Sequence, residues 1–285
     1  MEPVSHFFYS DRLKLQLWDY GQDGKPPLIL VHGGMDHARS WDRIARAFSA
    51  DYHVYAYDLR GHGNSEWARG GMYTVPEHVL DLTTLAAIVG KDEPLRLVGH
   101  SLGGMIVLHY AGLFPQTLIR AVSLEGIGFP PQHRIHSPAS DRLRRWIGAV
   151  RDMDTRTPRS YPTPEAAAAR MSEANPRLSP EVARHLTLHG TNWNSDGTIS
   201  WKFDNFVRAI PPLGHDLDDA SEIFSQITSP VLFFWGLKSF APLPNEDPRY
   251  LAIPQKRLII APDAGHWVHH DELDLVVDET RQFLA

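Results

Sequence analysis

The period of the hydrophobic positions changes along the chain in a way that predicts alternating strands and helices. Short apolar runs are typical of buried strands, whereas apolar residues recurring every three or four positions are typical of amphipathic helices. The predicted strands lie at residues 6–10, 13–18, 28–31, 52–57, 95–98, 119–124, 231–235 and 257–260, and the predicted helices at 40–48, 75–90, 102–113 and 273–284. Strands that alternate with helices favour an α/β fold with a mostly parallel sheet and helices on its faces.

This alternation stops after the strand that ends at residue 124. Residues 126–219 are dense in proline and contain two helix starts, in which Thr163 or Ser179 precedes a proline at the first helical position. We therefore predict a core formed by residues 1–125 and 220–285 and an inserted, largely helical segment at 126–219. The inserted segment also contains aromatic residues that suit either an apolar pocket or its own core, namely Trp146, Trp193, Trp201, Phe203 and Phe206.

Composition and charge narrow the classes of function. The net charge is −6, and the one cluster of basic residues, at 142–145, is interpreted as a solvated helix face, so no nucleic-acid partner is expected. The chain has no cysteine, which excludes disulfides and thiolate metal sites and suits a reducing compartment, so we expect a cytoplasmic protein. No apolar stretch is long enough to span a bilayer, and no signal peptide is apparent. The oligomeric state cannot be read from these features.

The clearest chemical motif is Gly-His-Ser-Leu-Gly at residues 99–103. It lies between the predicted strand at 95–98 and the predicted helix at 102–113, the context in which G-x-S-x-G exposes a serine on a sharp turn. The start of the helix also offers unpaired N–H groups to a developing oxyanion. A serine in an ordinary glycine-rich turn would fit the motif alone, but the strand before it and the helix after it favour a nucleophile at Ser101.

With this motif and three others, the sequence resembles the α/β-hydrolase fold family over nearly its whole length. The other matches are His-Gly-Gly at 32–34, Asp-Leu-Arg-Gly-His-Gly-Asn-Ser at 58–65 and Ala-Gly-His-Trp at 264–267. Each follows a predicted strand, and all occur in the order that the family shows. The resemblance implies an α/β-hydrolase fold in which the segment at 126–219 forms a cap over the active site.

A serine nucleophile needs a base, and the resemblance assigns that role to His266. An alternative is a metal site, because other ligand types stand close to it in the sequence, namely His269, His270 and Asp271. A serine on a strand-end turn calls for a base rather than a metal, so we expect neither a metal nor a cofactor.

The resemblance also implies the groups that would stabilise an oxyanion. It places them at the backbone N–H groups of Leu102 and Gly34, with Met35 as an alternative to Gly34. We expect His32 to brace the loop that carries Gly34, and residues 58–65 to shape a loop beside the site, rather than to take part in the chemistry.

The position of the catalytic acid departs from the common family pattern. Most members carry it just after the strand predicted here at 231–235, but Ser239 stands where an aspartate is expected. Glu246 and Asp247 follow beyond two prolines, which we expect to keep them out of reach. Some members, haloalkane dehalogenases among them, carry the acid after the preceding strand, where Glu125 lies. We therefore expect Glu125 to orient His266, the alternative being a solvated or arginine-paired residue.

These residues predict a cofactor-independent serine hydrolase that cleaves a carboxylic ester through an acyl-enzyme on Ser101. The expected substrate is a small molecule with an apolar acyl or aryl part. Thioesterases, lactonases, carbon–carbon bond hydrolases and perhydrolases use the same constellation and remain alternatives. Dehalogenases and epoxide hydrolases are disfavoured because their nucleophile is an aspartate. A ligand receptor that no longer turns over is the alternative from another class, and Ser239 is the feature that favours it.

Overall fold

The computed structural model describes residues 2–21, 23–91, 93–128, 138–211 and 217–285. In these residues the strands are β1 (Val4–Ser10), β2 (Leu13–Asp19), β3 (Pro27–Val31), β4 (His53–Tyr57), β5 (Leu95–His100), β6 (Leu118–Leu124), β7 (Ser160–Tyr161), β8 (Thr191–Trp193), β9 (Ile199–Trp201), β10 (Val231–Gly236) and β11 (Lys256–Ala261). The α-helices are α1 (Asp42–Phe48), α2 (Val75–Gly90), α3 (Leu102–Leu113), α4 (Ala139–Thr155), α5 (Pro164–Ala174), α6 (Pro180–Gly190), α7 (Leu217–Ser225), α8 (Pro248–Ala252), α9 (Val268–Asp271) and α10 (Leu273–Leu284).

Eight of the strands form the central sheet, in the order β1-β2-β4-β3-β5-β6-β10-β11. β1 pairs antiparallel with β2, and β2 with β4, whereas every later pairing in this sheet is parallel. One face packs on α2, α3 and α7, and the other on α1 and α10. The predicted mostly parallel sheet with flanking helices is therefore confirmed, and each predicted strand and helix of the core is present.

Local capping explains where the helices of the inserted segment begin. The Thr163 hydroxyl accepts a hydrogen bond from the Ala166 N–H at 3.2 Å. The Ser179 hydroxyl accepts one from the Val182 N–H, also at 3.2 Å. Each cap satisfies an N–H group that the first turn leaves unpaired, and proline follows at a position that needs no donor. The two helix starts predicted from the sequence are thus confirmed at α5 and α6.

The predicted inserted segment is described at residues 126–128, 138–211 and 217–219, and the range 138–211 contains α4, α5, α6 and a three-stranded sheet of order β7-β9-β8. Its remaining predicted parts at 129–137 and 212–216 lie outside the described residues. The predicted boundary between residues 219 and 220 falls inside α7, which buries Phe224 and packs against α3. Because a helix packs as one unit, the whole of α7 belongs with the layer that covers the sheet. No helix in the described part of the chain is long and apolar enough to cross a membrane.

The inserted segment lies against loops at the carboxyl ends of the parallel strands. Hydrogen bonds join it to the loops after β3, β4 and β11, among them His37 Nε2–H to Leu186 O at 2.9 Å, Asp204 N–H to Gly61 O at 2.8 Å, and Arg177 Nη1–H to Asp263 O at 2.9 Å. The carboxyl ends of parallel strands are where open α/β sheets place their ligands. The edge of the sheet that carries Ser101 and Glu125 is therefore the edge on which the inserted segment packs.

Candidate active site

Ser101 occupies a strained turn between β5 and α3. Its φ of 51° and ψ of −115° lie in a region that residues other than glycine rarely adopt. Two glycines allow this turn: a Cβ on Gly99 would lie 2.3 Å from the Gly103 carbonyl oxygen, and a Cβ on Gly103 would lie 2.1 Å from the Val31 carbonyl oxygen. Because the turn is so tight, Ser101 stands at its apex and is only partly buried.

Glu125 is the first residue after β6, on the strand next to the one that carries Ser101. Its N–H donates to the Phe234 carbonyl at 3.0 Å, and the Ser101 N–H donates to the Leu124 carbonyl at 2.8 Å. These bonds extend the pairing of β6 with β10 and of β5 with β6 by one residue each. Ser101 and Glu125 are therefore held side by side at the same edge of the sheet. Glu125 also has a left-handed backbone, with φ of 54°.

The Glu125 carboxylate is fully buried and accepts three hydrogen bonds. Oε1 accepts from the Gly236 N–H at 2.6 Å. Oε2 accepts from the Ser239 hydroxyl at 2.5 Å and from His266 Nδ1–H at 2.9 Å. A buried carboxylate is costly unless such donors replace its water. The alternative of a solvated or arginine-paired Glu125 is therefore wrong within the described residues.

The acids after the prolines lie elsewhere, as the sequence predicted. Asp247 caps α8 and pairs with Arg249, whose Nε lies 2.9 Å from Oδ1 and whose Nη2 lies 2.7 Å from Oδ2. Glu246 is exposed. In the described part of the chain, the carboxylate that bonds the His266 ring is that of Glu125.

His266 lies on the loop after β11, where one hydrogen bond holds its ring and another holds its backbone carbonyl. With Nδ1–H donating to the carboxylate, the neutral ring carries its lone pair on Nε2, the form that can accept a proton. The backbone carbonyl of His266 accepts a hydrogen bond from His100 Nε2–H at 2.9 Å. His100 is the variable residue of the G-x-S-x-G motif, and burial holds its pKa well below the usual range, so it stays neutral. No role for His100 was predicted from the sequence, in which its position beside Ser101 is the only signal.

The loop predicted to donate to an oxyanion lies against the start of α3. A Cβ on Gly33 would lie 3.3 Å from the Ser101 Cβ, and a Cβ on Gly34 would lie 3.9 Å from the Leu102 side chain. Gly34 and Met35 are exposed, and Met35 has a left-handed backbone with φ of 59°. The structure thus brings the predicted donor residues next to the predicted nucleophile.

Two apolar side chains stand exposed beside these polar groups. The Phe240 ring is 81% exposed, and its centroid lies 4.7 Å from that of the His266 ring. Met35, next to Gly34, is 46% exposed. Hydrocarbon surface is therefore exposed next to the His266 ring, on the loop after β10, and next to Gly34, on the loop after β3.

The loops after β3 and β4 are braced by buried polar groups. His32 Nε2 accepts the Leu59 N–H at 2.9 Å, and burial holds the pKa of this histidine well below its usual range. The Asp58 carboxylate accepts the N–H groups of Ala38 at 2.7 Å and Asn64 at 2.9 Å. These contacts position backbone, which is the bracing role that the sequence predicted for His32 and for residues 58–65.

The alternative metal site around His266 is not formed in the described structure. The Asp271 carboxylate accepts the Gly265 N–H at 2.7 Å. In the described part of the chain, the three side chains that converge closely enough to hold a metal ion are Asp42, His185 and His189. Both carboxylate oxygens of Asp42 already accept N–H groups of Arg39 at 2.7 Å, so a guanidinium occupies the place of a cation there.

The aromatic residues of the inserted segment divide between its core and its surface. Trp201 donates its Nε1–H to the Tyr161 hydroxyl at 3.3 Å and packs against Ala167 and Ile199. Trp193 is 68% exposed. Trp201 therefore belongs to a small core within the inserted segment, which is one of the two roles that the sequence left open.

Comparisons with known proteins identify the fold. A sequence model described as the alpha/beta hydrolase fold matches residues 26–273. An uncharacterised protein of Mycobacterium tuberculosis is 25% identical over 266 residues, which cover 91% of this chain and 75% of that protein. Lipase LipV of Mycobacterium tuberculosis is 34% identical over 155 residues, which cover 50% of this chain and 58% of the lipase. The thioesterase domain from the curacin biosynthetic pathway has the same fold, with a TM-score of 0.86 and 23% identity over 99% of this chain and 100% of that domain.

Proposed function

The chain belongs to the alpha/beta hydrolase fold family, and on that basis we propose that it is a serine hydrolase that cleaves carboxylic esters without a cofactor. The observation that carries this proposal is the hydrogen bond of 2.9 Å from His266 Nδ1 to the buried Glu125 carboxylate. It supplies an oriented base at the edge of the sheet where the turn exposes Ser101.

Acylation begins when Ser101 Oγ attacks the ester carbonyl carbon while His266 Nε2 takes the hydroxyl proton. The imidazolium that forms is stabilised by the Glu125 carboxylate at Nδ1. The carbonyl oxygen becomes an oxyanion and accepts hydrogen bonds from the backbone N–H groups of Gly34 and Leu102. The N-terminus of α3 adds to this stabilisation because the end of a helix at which the N–H groups are unpaired carries a partial positive charge.

Acylation is completed when the imidazolium of His266 gives its proton to the alcohol oxygen, so the C–O bond breaks and an ester of Ser101 remains. Deacylation uses the same groups with water in place of the serine hydroxyl. His266 then takes a proton from water as the water oxygen attacks this acyl-enzyme, and it returns the proton to Ser101 Oγ as the carboxylic acid leaves. One water is consumed, and the enzyme is unchanged.

The proposed substrate is a small ester with an apolar acyl or aryl part, under a cap formed by the inserted segment. The exposed Phe240 ring beside His266 and the exposed Met35 beside Gly34 support an apolar partner. The hydrogen bonds of His37, Asp204 and Arg177 between core and insert support the position of the cap.

The receptor alternative has lost its main support. It depended on the absence of an aspartate at position 239. Since Glu125 bonds the imidazole nitrogen that the acid would bond, the serine at 239 does not deprive the site of a carboxylate.

The test is covalent labelling by a fluorophosphonate probe, together with hydrolysis of p-nitrophenyl esters from acetate to octanoate. We expect the native protein to be labelled and active, heat-denatured protein to be unlabelled, and Ser101→Ala to be folded, unlabelled and inactive. A folded native protein that takes up no label and hydrolyses none of the esters would overturn the proposal. Retention of most activity in Ser101→Ala would reject the acyl-enzyme.

A further inference from the structure

We infer that Ser239 is a positioning residue, which holds the Glu125 carboxylate against the imidazole of His266. The inference rests on the proposed function, because it concerns how the same site orients its base. It goes beyond that proposal because the proposed mechanism needs only the serine, the histidine, the carboxylate and the oxyanion donors.

The Ser239 hydroxyl is itself fixed in direction. It lies in the turn after β10, where the Ser239 N–H donates to the Gly236 carbonyl at 3.1 Å. The Ala241 N–H donates to Ser239 Oγ at 3.2 Å. With that lone pair engaged, the hydroxyl proton is directed to Glu125 Oε2, 2.5 Å away, and a carboxylate oxygen can only accept it.

The two carboxylate oxygens of Glu125 depend on different anchors. Oε1 is held by the Gly236 N–H, whereas Oε2 is shared between Ser239 and His266. Without the Ser239 hydroxyl, the carboxylate could pivot about its bond to Gly236, and only the imidazole would hold Oε2. The imidazole changes its charge during turnover, whereas the hydroxyl does not. Ser239 therefore keeps Oε2 in place through every protonation state of His266.

The length of the glutamate side chain explains why a hydrogen bond from Ser239 is needed. Glutamate has one more rotatable bond than aspartate, so more conformational freedom must be removed to hold its carboxylate in one place. An aspartate at position 239 would place a second carboxylate against the buried Oε2, where like charges repel. A serine at this position removes that repulsion and adds a donor. A serine at position 239 is therefore compatible with a glutamate at position 125, whereas an aspartate there is not.

The first test removes the hydroxyl by Ser239→Ala. We expect kcat to fall about 10-fold, the usual effect of losing one hydrogen bond to a charged group, with KM nearly unchanged because the residue acts through the imidazole. Ser239→Thr retains a hydroxyl and should restore most of kcat. The proton NMR signal of the His266 Nδ1–H, which lies far downfield when bonded to a carboxylate, should shift or broaden in Ser239→Ala and return in Ser239→Thr.

The matched control is Ser229→Ala, two residues before β10. Ser229 is a buried serine, whereas Ser239 is partly buried. The Ser229 hydroxyl has no partner among the described residues, and it lies at the opposite end of the strand from Ser239. The kcat of Ser229→Ala and its downfield His266 Nδ1–H signal should equal those of the native protein. Native kcat and an unchanged signal in Ser239→Ala would overturn the inference while leaving the proposed function intact.

A second test does not depend on the stability of Ser239→Ala. Glu125→Gln should be nearly inactive, and adding Ser239→Asp to it should raise kcat at least 10-fold, because the Ser239 hydroxyl and His266 Nδ1 meet at the same oxygen of the native carboxylate. A folded double variant no better than Glu125→Gln would overturn the inference. Failure of the native protein to react with the fluorophosphonate would instead reject the proposed function itself, so the two failures are distinguishable.

Discussion

The substitution Glu125→Gln tests the proposed base–acid contact most directly, because it keeps the size of the side chain and removes only its charge and one acceptor. The native carboxylate meets three donors: the Gly236 N–H, the Ser239 hydroxyl and His266 Nδ1–H. A glutamine offers one acceptor oxygen and one NH₂ group, so it cannot accept from all three. Two orientations of the amide are open to it.

The energies of the two amide orientations decide which nitrogen of His266 carries the proton. If the amide oxygen faces His266, its NH₂ group faces the Gly236 N–H, and an unpaired buried donor costs about 1–3 kcal/mol. If the oxygen faces Gly236, the NH₂ group faces His266 Nδ1, which becomes an acceptor when the ring proton moves to Nε2. The second orientation pairs the Gly236 N–H, the imidazole nitrogen and the amide NH₂ group, and leaves only the partly buried Ser239 hydroxyl to turn its proton elsewhere. It is favoured about 5- to 150-fold. In that state Nε2 carries a proton and cannot accept the one from Ser101.

The unproductive tautomer alone lowers kcat about 5- to 150-fold, and the amide also lacks the charge that stabilises the imidazolium of His266. We therefore expect a total fall in kcat of about 1,000- to 10,000-fold, the loss typical of an amide in place of the acid of a triad. Hydrolysis of a p-nitrophenyl ester measures it, and thermal unfolding followed by circular dichroism shows whether the fold is intact. Glu246→Gln is the matched control: the same substitution at an exposed glutamate should leave kcat within twofold of native. A folded Glu125→Gln with kcat within 10-fold of native would refute the reasoning.

Three further outcomes follow from the described contacts. Ser101→Ala and His266→Ala should each lower kcat by several orders of magnitude, and the double variant should be little worse than either, as measured against spontaneous ester hydrolysis. Asp81→Asn removes the carboxylate that binds the buried Arg60 guanidinium through two hydrogen bonds. It should lower the free energy of unfolding, measured in urea, by about 3 kcal/mol. Burial lowers the pKa of His37 to about 3, so the unfolded chain binds a proton below pH 6.5 that the folded chain does not, and stability should fall as the pH drops from 6.5 towards 3. His37→Gln should flatten this fall in urea titrations at pH 7 and pH 5, whereas the same change at the exposed His6 should not.

Several elements of the site could be predicted because their cause is local. The turn at Ser101 requires small residues within two positions on either side, and Gly99 and Gly103 stand there in the sequence. The helix starts at Thr163 and Ser179 follow from a hydroxyl that caps N–H groups three residues ahead. The strands were visible because a strand buried on both faces reads as a continuous apolar run.

The contacts of Glu125 show what local patterns do not contain. A lone glutamate at the end of an apolar strand indicates a partner but does not identify it. Ser239, 114 residues further on, could be recognised only as a departure from the common family pattern. The hydrogen bond from His100 to the His266 carbonyl spans 166 residues and had no signal beyond its neighbour Ser101.

By itself the sequence determined the periods of the strands and helices, the turn that exposes Ser101, and the presence of a histidine after the last strand, because each depends on neighbours within a few positions. Only the tertiary structure decided which carboxylate bonds the His266 ring. The pairing of β6 with β10 aligns Leu124 with Phe234, and this register brings Glu125 to the Gly236 N–H and the Ser239 hydroxyl. Shifting the register by one residue would turn alternate side chains to the other face of the sheet, so this contact exists only once the strands have paired.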